Sequence, residues 1–221
     1  MATRQRNFVV LGLGTFGRTI ATELASYGNH VLGIDSDEGH VNDVAEELSE
    51  AIIADTRDEE ALREAGVDQY DVAVVTIGED IEASVLTTMN VKLLGVDQIW
   101  AKADSRTHHR ILTKLGADRV VHPEREVGQH IAQMLHNPLV RDYLSLGNGY
   151  HIVDLSVPEK LHGEPFEALK FSEHDQLRCL GIMRGSEYVE TADEQAVLEA
   201  DDKLLILGQR DELRDFSESL L

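Results

Sequence analysis

The apolar run Asn7–Leu11 (NFVVL) passes without a break into Gly12-Leu13-Gly14-Thr15-Phe16-Gly17, and a helical pattern begins at once with Ile20, Ala21, Leu24, Ala25 and Tyr27. Gly28 is placed to end that helix, and Val31–Ile34 reads as a second strand. A G-x-G-x-x-G pattern has mechanical content only in this setting, between a strand and a helix. The first glycine permits the tight turn, the second lets backbone approach a phosphate, and the third lets helix and strand pack closely. Asp35 ends the second strand, 18 residues beyond Gly17. From there it can accept hydrogen bonds from ribose hydroxyls, and its charge disfavours a 2′-phosphate. The competing reading is a glycine-rich turn with no ligand.

The alternation continues. Helices are predicted over Val41–Leu48, Glu59–Ala65, Glu82–Leu94 and Thr107–Leu115, and strands over Ala51–Ala54, Val72–Ile77, Gln98–Ala101 and Arg119–Val121. VAVVTI is apolar on both faces, as a buried parallel strand must be. Six strands alternating with helices define a Rossmann-type doubly wound parallel sheet over residues 1–122. A helical crossover is expected over 123–147. Its first helix, Glu124–Leu135, carries Val127, Ile131 and Leu135 at i, i+4 and i+8, a stripe suited to a dimer contact. Leu139–Leu146 is predicted as a second, shorter helical stretch, and Gly147-Asn148-Gly149 as the boundary to a small α+β domain over 148–221. That domain is predicted to hold a strand at His151–Val157, a hairpin of Leu177–Met183 and Glu187–Thr191 around Gly185-Ser186, a strand at Lys203–Leu207 and a closing helix over Asp211–Leu220.

Ligands of open α/β sheets bind outside the carboxyl ends of the strands. Ala54-Asp55-Thr56 and Thr76-Ile77-Gly78 end the third and fourth strands and therefore face a nucleotide. Asp55 either accepts from an adenine amine or caps the following helix. No catalytic constellation accompanies them: no HExxH or CxxC spacing occurs, and His108-His109 reads equally well as a solvated pair at a helix start. The 41 acidic residues against 20 basic ones leave a formal charge of −21, which repels nucleic acid and anionic lipid surfaces and serves either solubility or attraction to a basic partner. No apolar run long enough for a bilayer, no signal-peptide pattern and a single cysteine, Cys179, lead to the expectation of a cytoplasmic protein with no membrane insertion.

Val10-Leu11-Gly12-Leu13-Gly14-Thr15-Phe16-Gly17, Ala54-Asp55-Thr56, Ile77-Gly78 with Ile81–Ser84, Trp100–Ala103, His108-His109 and above all Leu115–Glu124 (LGADRVVHPE) resemble the RCK family, the regulators of potassium conductance, in particular its KtrA/TrkA-type subunits of bacterial potassium uptake systems. The resemblance implies a non-enzymatic gating subunit, dimeric and assembled as an octameric ring. It implies a membrane-embedded channel or transporter partner on the inner face of the membrane, and ATP, ADP or NAD(H) as ligand. It assigns phosphates to Gly12, Gly14, Thr15, Phe16 and Gly17, the ribose to Asp35, the adenine side to Asp55 and Thr56, the far side to Ile77 and Gly78, and an approach from the fifth strand and its helix to Lys102, Ala103 and His108. Glu124 matches a carboxylate that helps hold a divalent cation near the phosphates at the dimer interface. Two departures stand out. Thr15 takes the place of an arginine that reaches the terminal phosphates of ATP, which favours NAD(H) or ADP. Ser172, within Leu169–Asp175, takes the place of an arginine used by members that bind cyclic di-AMP, which argues against that ligand. The competing functions are an NAD-dependent oxidoreductase and a soluble nucleotide or redox sensor with a non-membrane partner.

Overall fold

The computed structural model describes residues 6–174, 176–189 and 197–221. The chain divides into two compact units between Pro123 and Glu124.

In the first unit, β1 (Asn7–Leu11), β2 (His30–Asp35), β3 (Glu50–Ile53), β4 (Val72–Val75), β5 (Gln98–Lys102) and β6 (Arg119–Val121) form one parallel sheet in the order β3-β2-β1-β4-β5-β6. Strand order reverses between β1 and β4, the switch point at which such sheets open a crevice. Alternate residues of the apolar strands feed two cores. Val9, Leu11, Leu32 and Ile34 pack with Leu62 of α3 (Glu59–Glu64), Val91 of α4 (Ile81–Leu93) and Leu112 of α5 (Arg106–Leu115). Val10 and Val31 pack with Ala21 of α1 (Thr15–Ser26) and Val41 of α2 (Glu38–Asn42). Helices thus cover both faces of the sheet, as the all-apolar strands require. α2 is shorter and earlier than the predicted Val41–Leu48. Asp37 starts it by accepting from the Gly39 and His40 N–H groups, and the chain leaves the helix after Asn42, while Val44 and Leu48 still reach the core from turns.

α4 departs from the usual pattern by burying polar side chains. Ser84, Thr87, Thr88 and Asn90 are all buried. Thr87 Oγ1 pairs with Thr56 Oγ1 at 2.7 Å, the Asn90 amide donates to the Arg57 carbonyl at 2.9 Å, and Thr88 donates to the Ser84 carbonyl. His108 of α5 completes the network. Its Nδ1 accepts from the Asp104 N–H at 3.3 Å, so its Nε2 carries the proton and donates to Ser84 Oγ at 3.1 Å. Burial lowers the His108 pKa from its ordinary 6.5, with Asp104 opposing and His122 adding to the shift.

In the second unit, α6 (Pro123–His136) precedes an antiparallel sheet of β7 (Val140–Gly147), β8 (Tyr150–Ser156), β9 (Arg178–Arg184), β10 (Glu187–Val189) and β11 (Lys203–Gln209), ordered β10-β9-β11-β8-β7. α7 (Arg210–Ser219) buries Leu213 and Phe216 in this unit's core with Val153, Leu155 and Ile206. The stretch predicted as a second helix is therefore a strand. Asn148 and Gly149 form the two-residue loop of the β7–β8 hairpin, with φ of 52° and 81°. Positive φ at both central positions is what a right-twisted hairpin demands, and Asn-Gly provides it. The triplet expected as a boundary is thus a turn inside the sheet. The Gly185-Ser186 hairpin forms through Val189, and Thr191 lies outside the described residues.

Asp202 is fully buried beside β11. Its carboxylate accepts from Arg184 Nε at 2.9 Å and Nη2 at 2.8 Å, and from the Glu199 N–H at 2.8 Å. Burial pushes its pKa up, but these bonds prevail and hold it below the ordinary carboxylate range.

Two predictions follow from these buried groups. Unfolded His108 takes up a proton near 6.5, whereas the folded residue does so only at lower pH. The unfolded state then binds more protons below about pH 6.5, so stability falls as pH drops through that window and levels off beneath the folded pKa. Urea melts at about pH 7.5 and 5.5 should show this fall, with a smaller fall in His108→Gln. Arg184→Met leaves Asp202 buried and unpaired and should cost about 3 kcal/mol in the same melts. Glu199→Gln, which removes only an exposed partner of Arg184, should cost under about 1 kcal/mol.

Candidate functional site

The glycine loop joins β1 to α1 at the switch point. Gly12 has a φ of 98°, and its N–H donates to the Ile34 carbonyl at 2.8 Å. A Cβ on Gly17 would overlap the Gly12 carbonyl oxygen and crowd Thr76 Oγ1. Thr76, just past β4, donates its hydroxyl to the Leu11 and Gly12 carbonyls, at 3.1 and 2.5 Å, and so ties the loop to the neighbouring strand. The sequence pattern placed Thr76 at the carboxyl end of the fourth strand, but not as the tie that holds the glycine loop.

Gly14 stands at the N-cap of α1, and no side chain caps the helix or places an acidic group in its first turn. The next four helices are each capped from within, by Asp37, Asp58, Asp80 and Ser105. The start of α1 therefore retains N–H groups and partial positive charge for an anion. Asp35 stands beside it at the end of β2. Its Oδ2 accepts from the Leu13 N–H at 2.6 Å and from His40 Nδ1 at 3.3 Å, and its Oδ1 accepts from the Asp37 N–H at 2.9 Å. The carboxylate holds the glycine loop and the next turn together, and it keeps further acceptor capacity, since a carboxylate offers about four lone-pair sites.

The third-strand residues bring in a partner that the sequence reading did not name. Asp55 does not cap α3, which Asp58 does, and its part-exposed carboxylate is shared with Arg57. Arg57 grips its carboxylate through Nε (2.9 and 3.1 Å) and Nη2 (2.7 Å), and the Arg57 N–H adds a further bond. The side-chain bond to Arg57 is the largest cause holding the Asp55 carboxyl below its usual range. Arg57 is a cation at the carboxyl edge that the motif reading missed, although its i+2 spacing from Asp55 allows an Asx turn with a side-chain grip. The Thr56 hydroxyl turns inward to Thr87.

On the other side of the switch point, Gly78 follows β4 and Lys102 ends β5. The Lys102 chain lies over Gly78, with Nζ 3.0 Å from where a Cβ would stand, and Nζ sits 5.9 Å from the centre of the Phe16 ring. The fold thus brings Phe16, Gly78 and Lys102 together. Ile77 packs partly buried against the core beside them. Ala103 is buried, its N–H donating to Val121, and the enclosed His108 has both ring nitrogens bonded, so these two shape the wall of the first unit from within. Glu124 lies in the first turn of α6, in the second unit. The backbone of Leu169–His174 forms short helical turns, but the Ser172 side chain and Asp175 lie outside the described residues.

This arrangement suits a phosphate at the start of α1, a diol at Asp35 and cations, Lys102 and Arg57, on either side. The TrkA-N domain family model matches residues 8–123, and the TrkA-C domain model residues 150–221. The chain is 34% identical over 220 residues to Ktr system potassium uptake protein A of Vibrio alginolyticus, covering 100% of both chains. It is 35% identical over 217 residues to Ktr system potassium uptake protein C of Bacillus subtilis, covering 98% of each. The solved structure of the GsuK channel bound to NAD superposes with a TM-score of 0.67 at 15% identity, over 100% of this chain and 40% of that longer one. The two family models together span both units, and the chain belongs to the RCK family of TrkA-N/TrkA-C proteins.

Proposed function

We propose that this chain is the nucleotide-binding regulatory subunit of a potassium channel or transporter. The observation that carries the reading is the uncapped start of α1, beneath a glycine loop clamped by Asp35. An adenine nucleotide supplies what that site lacks: a phosphate for the helix N–H groups and ribose hydroxyls for the carboxylate. Lys102 serves the more distant phosphates, and the base lies between Ile77 and the Asp55–Arg57 pair. The names of the full-length relatives, potassium uptake proteins, support the transport role. The NAD-bound channel neighbour supports the ligand class.

Among the described residues no helix is long and apolar enough to cross a membrane. The partner proposed here is a membrane-embedded pore subunit, in keeping with the names of the potassium uptake relatives. The proposed assembly is a dimer that builds an octameric ring on the cytoplasmic side of the membrane. Val127, Ile131 and Leu135 of α6 support it, being 56%, 44% and 81% exposed along one face. Gating follows from population shift: a nucleotide that fits one ring shape better moves the equilibrium by its differential affinity. Glu124 is proposed to hold a divalent cation at the phosphates between subunits, as the family resemblance implies.

Calorimetric titration with ATP, ADP, NADH and NAD tests the ligand. Asp35→Ala should weaken the preferred nucleotide by about 1–3 kcal/mol, and an unchanged affinity removes Asp35 from the site. Thr15→Arg should strengthen ATP by a similar amount, about 1–3 kcal/mol, through a charge-assisted contact, with little change for NADH. Chelating divalent metal should weaken ATP more than NADH. Ile131→Glu, which places a charge in the apolar stripe, should shift the chain to monomer in light scattering. A wild-type monomer at micromolar concentration, with and without nucleotide, would contradict the assembly.

A further inference from the structure

The second unit forms a half-open cavity of about 670 Å³ between α6, the first two strands of its sheet and α7, within the range of about 300–1,000 Å³ typical of small-molecule sites. Ala132, Val140, Val153 and Leu213 give it apolar walls, and Asn137, Tyr143 and Arg210 contribute polar groups. We propose that this cavity is a ligand site in its own right, for a small organic anion with an apolar body and a carboxylate or phosphate head. The proposal does not depend on the nucleotide reading of the first unit.

Two lining residues carry buried polar atoms without a partner among the described residues. Asn137 is 4% exposed. Its Oδ1 accepts from the Leu139 N–H at 2.9 Å, which orients the amide and leaves Nδ2 as a donor without a partner among the described residues. The Tyr143 hydroxyl is likewise buried and unpartnered. Leaving such groups unpaired costs about 1–3 kcal/mol each, and buried polar groups in folded proteins are rarely left so. Burial also raises the Tyr143 pKa, so the hydroxyl keeps its proton and can donate.

The charge around the cavity points the same way. Arg210 opens α7, whose start at Gln209 no side chain caps, so its N–H groups add partial positive charge. Arg210 is close enough to Tyr143 and His151 to act on the titration of both. Asp211 and Glu212, in the same first turn, are the opposing charges, and of the two only Asp211 lines the cavity. Arg214 is engaged by Asp215 at 3.0 Å, and His136 pairs with Glu218 at 3.7 Å. Among the lining residues the buried unclaimed groups are therefore the Asn137 amide N–H and the Tyr143 hydroxyl, which a ligand bringing acceptors would fill; Asp154 Oδ1 and His151 Nδ1, also unpartnered among the described residues, do not line the cavity. The site is also distinct from the stripe proposed for dimerisation. Ala132, Gln133 and His136 line the cavity, whereas Val127, Ile131 and Leu135 lie exposed along the helix.

The test uses the full chain saturated with NAD and phenyl phosphate as probe, against phenol and inorganic phosphate, by calorimetry. Phenyl phosphate should bind at least about tenfold tighter than either fragment, because head and body are both needed. Asn137→Asp keeps the acceptor for Leu139 but turns the free donor into a charge. It and Arg210→Gln should each weaken phenyl phosphate by about tenfold or more, and Tyr143→Phe by severalfold. Ala132→Phe, which fills the space, should abolish binding, and thermal melts identify which variants remain folded. Phenyl phosphate binding no tighter than the fragments overturns the proposal. So does equal binding by the folded variants, or the absence of any binding because a second copy of the chain covers the cavity.

Discussion

The first unit depends on how closely α1 approaches the end of β1. Gly17 lies so near the Gly12 carbonyl that no side-chain carbon fits between them. That contact fixes the helix axis over the switch point, and Thr76 from β4 and Asp35 from β2 secure the loop from either side. The geometry leaves no side chain to cap the first N–H groups of α1. A helix start held this way keeps its first N–H groups open to an anion or to water. Any anion that binds only the folded state must stabilise the unit by mass action, which links ligand concentration to stability.

Around this site the first unit commits polar groups to its interior. Ser84, Thr87, Thr88, Asn90, Thr56 and His108 form a buried network that ties α4 and α5 to the loop after β3. Such a network is stable only when every member is satisfied, and it then specifies one packing of these helices. The loop that carries Asp55 and Arg57 is thereby anchored by its neighbour Thr56 rather than left mobile. A regulatory subunit that answers to ligand identity needs such walls, since a soft site would accommodate different ligands with little difference in free energy.

The second unit is organised by different means. Its sheet is antiparallel, closed at one end by an Asn-Gly hairpin and held at β9 and β11 by the Arg184–Asp202 pair. Asp202 earns its burial only while Arg184 and the Glu199 N–H remain in place. The cavity beneath α6 shows the opposite condition, with buried polar groups that find no partner among the described residues.

The sequence by itself determined the six parallel strands, the glycine turn, the place of Asp35 and the family, because each rests on local periodicity or on residues close together in the chain. It misjudged Leu139–Leu146, where Val140 and Leu144 at i and i+4 fit a helix as well as a strand and only pairing with β8 decides. It could not show that Arg57 occupies the Asp55 carboxylate, that Thr76 pins the loop, or that His108 is enclosed with both nitrogens bonded. Those outcomes depend on groups tens of residues apart, or on which of several rotamers a crowded surface permits. Tertiary structure alone decided which polar side chains were buried and matched, since a buried donor is satisfied by whatever the fold brings within 3 Å or so of it, wherever that lies in the chain.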